Sequence, residues 1–455
     1  MNINTPPAAG VATASLTARL DRLPRLTRAH AGWVVLLGAL FLCDLADLNA
    51  MAYAAPAIRA EWGVSVATIG ELTSYSFLGM FVGGFLGGRL SDRFGRKKIL
   101  VAATVLYAAA SLLCAVAGSV PVLAVFRILT GIGLQAVTGV LIVYVAEMFP
   151  RHSRGRYQAI MLAIGLLGVP LIAGAARIIV PLGPSTWRWL FVVGAIGLVP
   201  GLLALFVLPE SVRWQELNGQ AGRAEALVAR LENEVRSRTG SPLPDPVERG
   251  AEPAHRPGEL LRRPGNRRRV VVASVTMVFA ILGFYGFNAW VPTLLVERGL
   301  STASALTITT ILSIAPFAGA AGALLITDRW ERRRIALVLC VLVAVAMVVF
   351  ALSHDYWLLV GAGFVVTLLL QTNTAIVYAY LPEVFPTNLR GLGSGIANGT
   401  GRLAGFAGGF IIAAIFAGLG FVGVFVATAI FMLASGLVLG LFGERTTGKT
   451  LEEIN

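Results

Sequence analysis

Long apolar runs separated by short polar breaks extend along almost the whole chain. Twelve of them are long enough to cross a hydrocarbon core of about 30 Å as a helix. They occupy residues 31–55, 66–90, 97–118, 121–148, 155–181 and 187–208, then 270–296, 303–327, 334–353, 356–382, 390–417 and 419–442. Two polar stretches interrupt the pattern. Within residues 1–30, Leu16, Leu20, Leu23 and Leu26 have the spacing of a short amphipathic helix, expected to lie on a membrane surface. Residues 209–269 form a middle loop. Ala224, Leu227, Val228 and Leu231 predict an amphipathic helix over 222–236, and the proline-rich, charged stretch 239–258 predicts a flexible linker. The loop divides the spans into two sets of six, 31–208 and 270–442, and leaves 443–455 as a C-terminal tail.

Composition agrees with lipid as the solvent. The 455 residues are 56% apolar and 13% charged, with mean hydropathy +0.77, whereas a soluble domain carries nearer a quarter charged residues. The expected fold is an all-α membrane protein of 12 transmembrane helices in two six-helix halves. A net charge of +13 would suggest nucleic acid in a soluble protein. Here the basic residues crowd the loops after spans 2, 4, 6, 8 and 10, among them Arg89, Lys97, Lys98, Arg151, Arg156 and Arg334. The positive-inside rule then expects both termini in the cytoplasm of a cell inner membrane. Cys43, Cys114 and Cys340 all lie in apolar runs, and neither a zinc motif nor a phosphate-binding loop is present. No cofactor, metal or enzymatic activity is expected.

A single offset of 236 positions relates the two halves. Asp92-Arg93-Phe94-Gly95-Arg96 maps onto Asp328-Arg329-Trp330-Glu331-Arg332, and Tyr144, Glu147 and Arg154 map onto Tyr380, Glu383 and Arg390. Pro56, Glu61, Gly63 and Ser65 map onto Pro292, Glu297, Gly299 and Ser301, and Gln135 onto Gln371. Repeated halves of this kind are a transporter signature.

These residues carry a resemblance. Gly88-x-x-x-Asp92-Arg93-x-Gly95-Arg96-Lys97 resembles the loop motif of the major facilitator superfamily, and Arg127-x-x-x-Gly131-x-Gly133 its fourth-helix motif. Leu208-Pro209-Glu210-Ser211-x-Arg213-Trp214 resembles the sequence closing the sixth helix of sugar-porter-like members. Asp44-Leu45-Ala46-Asp47, the run from Thr186 to Phe191 and the run from Phe284 to Pro292 are similar to metabolite:proton symporters for nicotinate and aromatic acids. Between the two acids those symporters often have Gly and an aromatic residue, where this chain has Leu45 and Ala46. The Gln-Gln-x-Ser-Gly sequence of true sugar porters is missing from the seventh span. The resemblance implies a proton-coupled secondary transporter working by alternating access, with a small organic anion as cargo and a monomeric state in the bilayer. The competing readings are a proton-driven exporter, for which Gly165, Gly168, Pro170 and Gly174 give a partial motif, and a membrane sensor that has lost transport.

Charges inside the membrane narrow the site, because each costs several kcal/mol without a partner or a role. At 1.5 Å per residue, Asp44, Asp47 and Arg127 fall at one level, about 20–24 Å from the cytoplasmic face. An acid that gains and loses Arg127 would act as a proton switch; the alternative is a permanent ion pair pinning the first span to the fourth. Arg402 falls near the midplane, where its guanidinium would hold a substrate carboxylate, or bond to helix-end carbonyls or to an acid from another helix. Tyr75, Tyr285, Asn288, Asn49, Gln135 and Gln371 are candidate substrate contacts or interhelical bridges. Arg59 and Arg177 lie near outer ends, where reaching out to water suffices. Asp92, Arg93, Arg96, Glu147, Glu210, Asp328, Arg329, Arg332, Glu383 and Arg390 are the candidate cytoplasmic gate.

Overall fold

Small and hydroxyl residues decide where the helices of this protein begin and turn. Ser65 and Ser301, equivalent positions of the repeat, each open a helix by accepting a hydrogen bond from a backbone N–H three residues on, at 3.2 and 3.1 Å. Such a cap contributes about 1 kcal/mol. Gly63 and Gly299, two residues earlier in each copy, have φ of 64° and 102°, which an L side chain rarely adopts. The computed structural model describes residues 15–24, 27–240, 242–246, 264–326, 329–385 and 389–446.

Among the described residues, eleven helical stretches are long and apolar enough to cross a membrane: Arg28–Trp62, Val66–Phe94, Arg96–Ala115, Val120–Met148, Arg151–Leu182, Arg188–Val207, Pro264–Asn288, Thr302–Ile326, Arg332–Leu352, Tyr356–Tyr380 and Arg390–Phe442. The last has 53 residues and would be about 80 Å long if straight, more than twice the membrane core. Gly420 breaks it, with φ 64° and ψ −161°, into spans over 390–419 and 421–442. The fold is therefore twelve transmembrane helices in two six-helix halves. Most helix ends agree with the sequence expectation within a few residues. The first span begins earlier and ends later than expected, and Pro56 sits inside it without ending it.

Glycine lets helices within a half approach closely. A Cβ on Gly79 would lie 2.1 Å from the Ile128 carbonyl, and one on Gly83 would lie 2.2 Å from the Ile132 carbonyl, so the second and fourth spans touch backbone to backbone. Gly133 does the same for the third and fourth spans, against the Tyr107 backbone.

The polar segments differ from one expectation. Leu16, Leu20 and Leu23 do not rest on a lipid surface. They are buried with Ala224, Val228, Leu231 and Val235 of the middle-loop helix, Ala221–Thr239. Arg19 and Arg22 close over this contact on Glu232, at 2.9 and 2.7 Å. Burial works to raise the Glu232 carboxyl, but the two arginines outweigh it and hold it below its ordinary value. The contact is thus fully present at neutral pH and is lost only as the pH falls below the carboxylate range. An amphipathic pattern states that a face is covered, not by what. Leu26, and residues 241 and 247–258 of the expected linker, lie outside the described residues.

Candidate functional site

The intramembrane charges occupy two places. Asp47 and Arg127 form a fully buried pair, Oδ2 to Nη1 3.6 Å apart, each 0% exposed. Ser111 Oγ donates to the other Asp47 oxygen and lies 3.0 Å from the Phe191 carbonyl. Arg127 Nε donates to Ser76 at 3.0 Å, and its guanidinium stands 5.7 Å from the Phe191 ring centre. Asp44, one turn along the first span, accepts a hydrogen bond from Thr138 at 2.8 Å through one oxygen. Among the described residues its other oxygen is buried with no hydrogen-bond partner, as is the Asp47 oxygen that faces Arg127. The two acids of the first span are therefore inequivalent: Asp47 has a cation at ion-pair distance, and among the described residues Asp44 has none within 4 Å.

This difference has a consequence for stability. Asp47→Ala is expected to destabilise the protein by about 3–5 kcal/mol, because it strands a buried guanidinium. Asp44→Asn keeps the Thr138 contact and should stay within about 1 kcal/mol of wild type. Denaturation of the two variants in detergent micelles measures both, and equal losses would contradict the asymmetry.

Arg402 stands on the eleventh span between the halves. Its Nη1 is 3.5 Å from the Tyr285 hydroxyl and 3.9 Å from the Met80 sulfur. Asp44 and Tyr378 lie within its electrostatic reach. Tyr285 packs edge-on against Phe77 and Phe284, with ring centres 4.6 and 5.1 Å apart. Phe81, in the middle of the second span, is 36% exposed, and Tyr378, two residues before the tenth span ends, is 41% exposed. Asn49 and Asn288 instead bond back to carbonyls four residues earlier in their own helices, at 2.7 and 2.9 Å. Gln135 keeps a buried amide oxygen without a partner, while Tyr75 and Gln371 are half-buried on the second and tenth spans. Thr138, Ser111, Ser76 and Tyr378 were not expected at this site. A hydroxyl on an apolar helix is too common to single out before the partner it faces is known.

The loop charges form mirrored clusters. Arg96 makes a two-pronged bond to Glu147, with both N···O distances 2.9 Å, and pairs with Asp92 at 2.9 Å. Arg332 pairs with Glu383, the same positions of the second repeat. Glu210 Oε1 accepts from the backbone N–H groups of Arg96, Lys97 and Ser211, at 2.7, 3.0 and 2.9 Å, so it caps the third span as an anion at a helix start. Trp214 donates to the Asp92 carbonyl at 2.8 Å. Arg93 stands 5.1 Å from the Phe94 ring centre. Arg329 lies in the turn before the ninth span, Arg390 opens the eleventh, and Asp328 is outside the described residues. Each ion pair named here lies within one half.

At the opposite end the halves touch. Arg59 reaches Glu297 of the other half, so the expectation that it only reaches water is corrected. Thr310 donates to the Ala173 carbonyl at 3.1 Å. Gly70 and Gly409 meet so closely that a Cβ on either would fall 2.5 or 2.2 Å from the other's carbonyl oxygen. Along the same face of the eleventh span, Gly391 and Gly395 have nothing among the described residues within 4 Å of a built Cβ. The cleft between the halves therefore opens towards the end that carries the termini.

Twelve helices in two related halves, meeting at one end around a charged mid-membrane level, define a multi-pass secondary transporter. The model of the sugar (and other) transporter family matches residues 31–455, and the chain belongs to that family, within the major facilitator superfamily. A Bacillus subtilis (strain 168) protein named as a metabolite transport protein, YyaJ, is 37% identical over 95% of this chain and 96% of its own length. The niacin transporter NiaP of Acinetobacter baylyi is 27% identical over 96% and 99%. The xylose transporter XylE of E. coli, solved in a partially occluded inward-open conformation, superposes with a TM-score of 0.77 over 93% of this chain and all of that one, at 18% identity.

Proposed function

We propose that the protein is a proton-coupled symporter that brings a small carboxylate, preferably an aromatic one, into the cell. The observation that carries this reading is Arg402. It is a mid-membrane guanidinium at an open cleft, with Tyr285 and, among the described residues, no carboxylate at hydrogen-bond range. A planar fork of donors beside Tyr285, Tyr378 and Phe77 suits a carboxylate on a ring. The names of similar proteins, transporters of niacin, gallate and gentisate, support the same chemistry.

Asp44 is the proton carrier in this reading. Protonating it breaks no ion pair, whereas protonating Asp47 would leave Arg127 alone in the membrane. With the termini in the cytoplasm, the cleft faces inward, and Arg59–Glu297 with the Gly70–Gly409 contact closes the outer side. Arg96–Glu147 and Arg332–Glu383 stiffen the inner ends of each half, ready to meet when that side closes.

Uptake of labelled nicotinate, gallate and gentisate into proteoliposomes, with the pH gradient imposed in either direction, tests the reading. Accumulation is expected only with the acid side outside. Accumulation under the opposite gradient would indicate an exporter, and specific binding without flux a sensor. Glu297→Gln removes the outer ion pair, which is about a quarter exposed, and should shift the equilibrium about fivefold towards outward opening. Distances between spin labels on the outer ends of the two halves report that shift, and an unchanged distribution would remove Arg59–Glu297 from the gate.

A further inference from the structure

A groove of about 530 Å³ runs between the start of the seventh span and the end of the twelfth, on the side that carries the termini. Two chemistries follow one another along it. Arg267 and Arg268 stand at its mouth, and Val271, Val275, Val438 and Phe442 continue it along the helices. Arg267, Val271 and Val275 are four residues apart and share one helix face. The change from guanidinium to hydrocarbon takes one turn, about 6 Å. Val271 and Phe442 are 53% and 54% exposed, so the apolar wall faces outward. On a membrane-spanning helix, outward at this depth means the bilayer.

Arg268 is held in place, while Arg267 is exposed beside it. Arg268 Nη2 donates to the Phe442 carbonyl at 3.4 Å, and its Nη1 is 4.0 Å from Glu444. Arg333 donates to the Gly443 carbonyl at 2.9 Å and brings a further positive charge to the same helix end. Glu444 offsets only part of this charge among the described residues.

We propose that the groove is a binding site for an anionic phospholipid, with the headgroup phosphate on Arg267 and Arg268 and one acyl chain along Val271, Val275, Val438 and Phe442. A free phosphate would satisfy the guanidiniums but has nothing to lay against the apolar wall. A zwitterionic lipid carries its own cation and leaves the positive charge unmatched. Basic residues at a membrane boundary attract anionic lipid by about the strength of one surface charge each. The site is remote from the charged level of the first and fourth spans, and it does not depend on which substrate the transporter carries.

Native mass spectrometry of the full-length protein in detergent, titrated separately with phosphatidylglycerol, phosphatidylcholine and inorganic phosphate, tests the proposal. Phosphatidylglycerol should remain bound where the other two do not. Arg267→Gln should weaken its retention about fivefold, and the Arg267→Gln/Arg268→Gln pair roughly thirtyfold. Arg223→Gln/Arg230→Gln, which removes two exposed charges from the middle-loop helix, should leave retention unchanged. Equal retention of the two lipids, an equal loss in the control pair, or no loss in the groove variants would overturn the proposal. Tight binding of inorganic phosphate would reduce the site to a simple anion site and overturn it as well. Should the double variant not fold, the single Arg267→Gln decides.

Discussion

Asp44→Asn is expected to abolish accumulation of a carboxylate substrate driven by a pH gradient, while counterflow exchange stays within about twofold of wild type. The asymmetry follows from the geometry of the first span. Asp47 is held by Arg127 at 3.6 Å and by Ser111, and in the proposed cycle it stays a fixed anion. Asp44 has only Thr138 on one oxygen and leaves the other unpartnered. Asparagine copies the protonated acid in shape and neutrality, and an amide oxygen can still accept from Thr138. The variant should therefore bind substrate and change conformation, since both halves of an exchange cycle use the loaded, protonated-like carrier. It cannot release a proton, so a gradient has nothing to pull on. Paired assays on one proteoliposome preparation, net uptake and exchange, separate these steps. Undiminished net uptake would move the proton elsewhere, and loss of both activities would make Asp44 a structural residue.

Arg402→Ala is expected to weaken binding of nicotinate or gallate by about a hundredfold or more, since loss of one partner of a desolvated charge pair costs about 2–5 kcal/mol. Arg402→Lys keeps the charge but not the fork, and should lie between, roughly tenfold weaker than wild type. Nicotinamide, which has the ring without the carboxylate, should show no dependence on either change. Titration calorimetry on the three proteins gives the comparison directly. Parallel losses for acid and amide would show that Arg402 shapes the cleft without holding the anion.

The membrane helices were readable because an apolar run of span length has few other uses, and the repeat added information that composition lacks. Arg96–Glu147 and Arg332–Glu383 occupy equivalent positions, so the 236-residue offset anticipates the second pair from the first. Gly420 explains why the last two spans could be separated in sequence although their helices run together. What stayed hidden depended on partners distant along the chain. Leu16, Leu20 and Leu23 announced a buried face, but their cover is a helix some 200 residues away. Arg59 looked like an ordinary outer-end arginine because nothing local marks Glu297 as its partner. Asp44 and Asp47 were equally conspicuous as charges in lipid. Their difference comes from which of Thr138, Ser111 and Arg127 each one faces, and that is set by helix rotation.

Proton coupling through one acid of the first span is the central claim, and charge arithmetic makes it measurable. With Asp47 kept ionised by Arg127, one proton enters on Asp44 with each monoanion, and the cycle moves no net charge. Proteoliposomes with a fixed inward proton gradient and a potassium–valinomycin potential switched on or off test this directly. The account predicts the same level of accumulated nicotinate or gallate in both conditions, and none once the proton gradient is collapsed. A second proton per substrate would carry one net charge, and 100 mV would then add about 2.3 kcal/mol, or roughly fiftyfold accumulation. Accumulation that rises steeply with the potential, or that survives without a proton gradient, would contradict it.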